Sequence, residues 1–324
     1  MTISKSPRRN CPKTVIYAAI VGNLLVAATK FGAAAFTGSS AMLSEGVHSL
    51  VDTGNELLLL YGLRRAMAQP DLNHPLGYGR ELYFWSFIVA LLVFALGAGV
   101  SIYEGVTHIL DPTPIENPHV NYIVLALSAI FDGATWWIAL RNFKGKKPYS
   151  ALFQAVRESK DPPSFMVLFE DSAALLGLLI ALVGTYLSVS LRMPALDGVA
   201  SILIGLVLAI TATILARETK GLLIGESADA AIVESILRLA EEIDGVMHAN
   251  GVLTIHLAPD QIVAFFSIEF ADELTTPMIE GKVCELEDRL RALHPFVVAV
   301  FVKPQSPESF KRTFTRRFNR LPDQ

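Results

Sequence analysis

Apolar residues crowd the first two thirds of the chain in runs long enough to cross a bilayer, then thin abruptly. A helix needs about 20 mostly apolar residues to span the hydrocarbon core. Six stretches qualify, at roughly 14–36, 40–63, 82–110, 119–140, 164–188 and 195–216, and each is expected to be a transmembrane span. After residue 225 the period changes. Residues 228–243 and 275–293 repeat apolar positions at helical spacing, whereas 252–257 (VLTIHL), 262–270 (IVAFFSIEF) and 296–302 (FVVAVFV) read as strands. The APDQ stretch between the first two strands is a hairpin connection, and the order α-β-β-α-β predicts a small ferredoxin-like α+β sandwich. The expected architecture is an α-helical integral membrane protein in four parts. These are an N-terminal segment (1–13), a six-transmembrane-helix bundle (14–224), a ferredoxin-like domain (225–305) and a polar, basic tail (306–324) that frays or forms a short surface helix.

Lysine and arginine set the orientation, because cytoplasmic loops carry the excess of them. Lys5, Arg8, Arg9 and Lys13 fall on one side, as do Arg64, Arg65, Arg80, Arg141, Lys144, Lys146, Lys147, Arg157, Lys160, Arg217 and Lys220. The other side has the TGSS turn (37–40), the loop DPTPIENPH (111–119) and a connection whose only cation is Arg192. Both termini are therefore expected in the cytoplasm. A mean hydropathy of +0.44 with 18% charged residues is wrong for a soluble protein of this size. The net charge of −4, without a basic stripe, argues against a nucleic-acid partner. Cys11 and Cys284 make neither a disulfide framework nor a CxxC site, which suits a reducing compartment. No small-residue cleavage site follows the first apolar run, so the first span should stay in the membrane.

Ionisable residues at bilayer depth cost about 2.5–3.5 kcal/mol each and point to function. The second span reads SEGVHSLVDTGNELLLLYG. His48 and Asp52 are four residues apart, hence on one face, and Glu45, Asn55 and Glu56 extend the stripe. At about 1.5 Å per residue, His48 lies roughly 12 Å into a helix starting near residue 40, at mid-membrane. One imidazole and one carboxylate do not complete a zinc shell. The fifth span offers Glu170 and Asp171. Adjacent residues diverge by about 100°, so one should face the second span and the other a water path or a neighbouring helix. Asp132 in the fourth span is a proton or gating candidate, or a structural aspartate, as Glu56 is a candidate for proton handling. Asn23 and Lys30 of the first span pair with Asp132 or snorkel, while Glu104 and His108 sit near the interface.

The run TGSSAMLSEGVHSLVDTGNELLLLYGLRRA, followed by DLNHPLGYGRE, resembles the cation diffusion facilitator family of zinc and related divalent-metal antiporters. The resemblance covers nearly the whole chain. It implies six spans, cytoplasmic termini, a ferredoxin-like C-terminal domain, homodimers, and exchange of cytosolic metal for protons. His48 and Asp52 match the family's two ligands on the second span, and Asp171 matches the second ligand on the fifth. The first of that pair would fall on Val167, a departure that Glu170, Glu56, Asn55 or water must make good. Asp71 and His74 match a secondary cytoplasmic metal site, with Tyr78 where a second histidine often stands. His248 lies near a metal-ligand position of the C-terminal domain, Phe301 and Lys303 replace others, and His256 is read as exposed.

An oxygen-rich site with one histidine takes zinc, and also manganese, iron(II) or cobalt. Metal ligands must be deprotonated, so protons and metal compete for His48, Asp52 and Asp171, and alternating access needs no separate relay. No prosthetic cofactor is expected. HExxH, GxSxG and P-loop motifs are absent from the sequence, which argues against a membrane enzyme. A non-transporting metal sensor or scaffold is the alternative. The expected setting is a bacterial inner membrane.

Overall fold

Six long helices form where the apolar runs place them in the computed structural model, which describes residues 13–144 and 159–319 and side chains over 23–141 and 159–319. The segment containing Cys11, the cations Lys5, Arg8, Arg9, Lys146, Lys147 and Arg157, and residues 320–324 lie outside the described residues. The helices are α1 (Lys13–Thr37), α2 (Ser40–Ala66), α3 (Glu81–Leu110), α4 (Pro118–Lys144), α5 (Pro162–Ser190) and α6 (Ala195–Ile224). Each has 25–30 residues, enough at about 1.5 Å per residue to cross a core about 30 Å thick. Among the described residues, α3 to α6 are also apolar enough to do so by composition. In α2 the apolar run is interrupted by Glu45, Asp52, Glu56, Arg64 and Arg65. α3 is not uniform: Val93–Ala98 winds as a π-helical segment.

The described residues fall into two compact units. The first holds the chain up to Gly62, Trp85 to the end of α4, and residues 162–219. Its core is made largely of small side chains, Ala33, Ala34, Ala41, Ala98, Ala173, Ala181 and Ala200 with Met42, Leu178 and Leu208. In lipid, where no hydrophobic force drives helices together, such residues favour association by letting backbones approach. A close approach of backbone to backbone joins α3 and α6. A Cβ on Gly105 would lie 2.5 Å from the Gly198 carbonyl oxygen, and one on Gly198 2.7 Å from that of Gly105. α1 and α2 join through Gly38, whose φ of 70° is left-handed and suits glycine, and whose amide bonds the Ala34 carbonyl at 2.9 Å. Asp197 on α6 completes this turn, although nothing in the sequence singles it out. Fully buried, its carboxylate accepts from the Ser39 hydroxyl (3.0 Å to each oxygen) and the Ala41 amide (3.1 Å), capping α2.

The second unit holds residues 63–84, 159–161 and 220 onward. Its order is α7 (Ala230–Glu241), β1 (Val246–Ala258), β2 (Gln261–Phe270), α8 (Thr276–Leu293), β3 (Val297–Pro304) and α9 (Pro307–Phe318). The strands form a sheet in the order β1-β2-β3, antiparallel between β1 and β2 and parallel between β2 and β3. The parallel pair needs a crossover, which α8 provides. Ile236 and Ala240 of α7 and Leu286 and Leu290 of α8 pack on Ala264, Phe266 and Ile268 of β2. The tail is an ordered surface helix over its described part: α9 seats Phe310 against Gly251, and the Ser306 hydroxyl caps its start. Leu253, Phe265 and Phe301 stand side by side across the three strands with their side chains exposed, the two phenylalanines stacked at 5.2 Å.

The Gly105–Gly198 contact yields the first prediction. Gly198→Leu should lower the thermal stability of the detergent-solubilised protein by an amount on the order of 1–3 kcal/mol, because the backbone contact leaves no room to repack. A Gly198→Leu variant that melts together with wild type would contradict this packing.

Candidate metal-transport site

The polar residues Glu45, His48, Asp52, Asn55 and Glu56 of α2 lie on helical steps of three and four; Glu45, His48 and Asn55 are buried, and Asp52 and Glu56 half-buried. His48 is 1% exposed, and its Nδ1 stands 3.4 Å from Asp52 Oδ1 without hydrogen-bond geometry. Both ring nitrogens of His48 and Oδ1 of Asp52 are buried without a hydrogen-bond partner among the described residues. Unpaired polar atoms away from water are expensive, so their concentration on one turn makes it a candidate binding position.

α5 meets this stripe. Glu170, buried, accepts a hydrogen bond at 3.1 Å from Asn55 Nδ2. Asp171, half-buried, keeps Oδ2 unpartnered. The two acids thus diverge as helical geometry requires, with Glu170 turned to α2. The Trp136 indole of α4 donates to Ser172 at 2.9 Å, so α4 lies alongside this turn of α5. Glu56 accepts from Asn23 of α1 at 2.8 Å, with its second oxygen buried and unpartnered.

Of the remaining candidates, Lys30 reaches Asp132 at only 3.8 Å, and its closer partners are Glu45 at 3.1 Å and Ser49 at 2.8 Å. Asn23 pairs with Glu56, not with Asp132. His108, in the last turn of α3, is buried with Nε2 unpartnered. The structure therefore gathers His48, Asp52, Asn55, Glu56, Glu170 and Asp171 into the packing of α1, α2 and α5, but it does not close them into a cage. Among the described residues no group of three or more His, Cys, Asp or Glu side chains stands close enough to hold a metal ion. Buried carboxylates repel one another, which works against convergence.

The second unit contains the other candidates. Asp71 accepts from the Tyr78 hydroxyl (2.6 Å) and the amides of His74 (2.7 Å) and Asn73 (2.9 Å), and its Oδ1 is 3.3 Å from His74 Nδ1. Tyr78 thus stands where it braces the loop, its ring 4.3 Å from that of His74. His248, exposed, has Nδ1 3.4 Å from Glu241. His256 departs from expectation: it is buried, with Nδ1 3.1 Å from the Ala258 carbonyl oxygen, and burial holds its imidazole below the usual pKa. The strand face that would expose it is covered by residues 226–228, whose backbone bonds the His256 amide and the Thr254 hydroxyl, both at 2.9 Å.

The hydrogen bond from Tyr78, followed by that from the His74 amide, holds Asp71 at a pKa of about 2. A depressed carboxylate stabilises above its unfolded value, near 3.9, and loses that contribution as pH falls through about 2. Amide-exchange protection at Asn73 and His74, corrected for intrinsic rates, should therefore be unchanged from about pH 7 to about pH 5. Tyr78→Phe should weaken it and Asp71→Asn more so. Protection that changes between those pH values would contradict the Asp71 brace.

The family model described as the cation efflux transmembrane domain matches residues 16–224. The human proton-coupled zinc antiporter SLC30A9, mitochondrial, is 33% identical over 269 residues, 82% of this chain and 47% of the relative. Metal tolerance protein C4 of Arabidopsis thaliana is 33% identical over 221 residues, 67% of this chain and 48% of the relative. The Escherichia coli cation-efflux pump FieF is 32% identical over 96 residues, 29% of this chain and 31% of the pump. The chain spans about half the length of the first two relatives. With the match running through all six long helices, including the α2 stripe, this membrane protein belongs to the cation diffusion facilitator family.

Proposed function

We propose that the chain carries a divalent metal cation, zinc before manganese, iron(II) or cobalt, out of the cytosol in exchange for protons. The observation that carries this reading is the mid-helix imidazole of His48, buried with both nitrogens unpartnered beside Asp52. The proposed ligands are His48 and Asp52 from α2 and Asp171 from α5. Glu170 is the candidate for the position that Val167 leaves without a donor, and it would exchange its bond to Asn55 for the ion. The human relative is named a proton-coupled zinc antiporter, which supports both cargo and coupling.

The coupling follows from ligand chemistry. An imidazole and carboxylates bind metal only when deprotonated, so a proton arriving from the acidic side competes for the same lone pairs. A site open to that side releases metal and takes up protons; open to the cytosol, it does the reverse. We assign six spans to α1–α6, with both termini cytosolic and the boundaries near residues 13, 224 and 305 expected from the sequence. The α-β-β-α-β order of the second unit is read as ferredoxin-like. The exposed row Leu253, Phe265, Phe301 favours a homodimer, since an apolar patch on a sheet is a common contact between copies. An energised membrane fits proton exchange. The sequence reading is a bacterial inner membrane, and the human relative is named as mitochondrial. Asp71 and His74 are a secondary metal site only if an ion displaces the Tyr78 bond.

In proteoliposomes the wild type should accumulate zinc in the more acidic compartment, and collapsing the pH gradient should slow uptake. Asp52→Ala and Asp171→Ala should each cut flux at least roughly 100-fold, as loss of a direct ligand exceeds the 10–100-fold cost of an outer-shell change. Flux indifferent to the gradient would sink the coupling. Flux surviving both substitutions would sink the site.

A further inference from the structure

Lys30 has no part in the mechanism above, yet it is the most thoroughly enclosed cation among the described residues, with its side chain wholly inaccessible. It sits inside α1, a helix of 25 residues, about two turns from the nearer end. A cation at such depth has to be paired. Its Nζ donates to Glu45 Oε2 at 3.1 Å and to Ser49 Oγ at 2.8 Å, and lies 3.8 Å from Asp132 Oδ2 of α4.

Two features connect this ammonium to the transport site. Glu45 and Ser49 are four residues apart on α2 and bracket His48 in sequence, so the charge is fixed beside the turn that bears the proposed ligands. The second oxygen of Glu45 is unpartnered and lies against Gly177 of α5, where any Cβ would overlap it. The same carboxylate therefore touches the helix that carries Asp171.

We infer that Lys30 is a fixed counter-cation of the transport site, one that sets how tightly the divalent ion is held. The inference rests on the transport reading above. A carrier must hold its ion firmly enough to load and loosely enough to release. The first unit places Glu45, Asp52, Glu56, Asp132, Glu170 and Asp171 on α2, α4 and α5. A doubly charged ion entering that field without opposition would be released slowly. A tethered ammonium opposes the ion at every stage of the cycle, cannot leave with it, and keeps the carboxylates in balance when the ion is gone.

The test is zinc flux in proteoliposomes, read as KM and kcat separately, with direct zinc binding to the purified full chain. Lys30→Met should lower KM and the dissociation constant by roughly ten-fold, the order expected for one unit charge in a partly screened interior, and should lower kcat because release is slowed. Glu45→Gln, which removes the carboxylate nearest the ammonium, should move KM the other way. The pair Lys30→Met with Glu45→Gln restores the local charge sum and should return KM toward wild type. Lys30→Arg should stay close to wild type. A merely structural lysine would not give opposite signs for Lys30→Met and Glu45→Gln. If Lys30→Met does not assemble, Glu45→Gln and the pair carry the same comparison. Unchanged or raised KM in Lys30→Met, or a pair no closer to wild type than its singles, would overturn the inference. Failure of the transport reading is a separate result: wild type then moves no zinc, or moves it equally well as Asp52→Ala.

Discussion

Everything distinctive about this molecule follows from the cost of keeping polar groups away from water in the interior of a helix bundle. A carboxylate, an imidazole or an ammonium at bilayer depth must find a partner or serve a purpose. The first unit contains some groups of each kind. Lys30 with Glu45 and Ser49, Asn23 with Glu56, Asn55 with Glu170, and Ser39 with Asp197 are paired. Both nitrogens of His48 and one oxygen each of Asp52 and Asp171 are buried and left over, as are Glu45 Oε1, Asn55 Oδ1, Glu56 Oε2 and His108 Nε2. The unpaired set has the donor chemistry of a divalent-cation site.

The packing of the bundle serves the same end. Glycine and alanine contacts bring α3, α5 and α6 together tightly, leaving the polar interior to α1, α2, α4 and α5. Asp197, capping α2 from α6, fixes where that helix begins and therefore the height at which His48 sits. The Glu45 carboxylate lies between an ammonium and a glycine on α5, so α2 and α5 are held against each other just outside the unpaired cluster.

Much of this is legible in the sequence, for identifiable reasons. The apolar runs at 40–63 and 82–110 fold as Ser40–Ala66 and Glu81–Leu110, because a long apolar segment has few alternatives to a helix. The His48–Asp52 step can be read because helical spacing is fixed, and the divergence of Glu170 from Asp171 follows from the same geometry. β1 is longer than its predicted run. It begins at Val246, where MHANG, which has little strand character of its own, is held by bulged pairing to β2. Which partner a buried residue chooses depends on neighbouring helices and has no local signature. Lys30 therefore prefers Glu45 to Asp132, and His256 is covered from residues 226–228. Asp197 carries no sequence signal of its role, because an acid in the first turn of a helix is ordinary there.

The account stands on the identity of the atoms that hold the cargo. X-ray absorption at the zinc edge of the zinc-loaded full chain in lipid, compared with His48→Asn, reads those atoms directly. The account predicts a shell of oxygens with a single imidazole, whose scattering disappears in His48→Asn while zinc is still bound weakly. A shell containing sulfur, or an imidazole signal that survives His48→Asn, would contradict it and move the site away from α2.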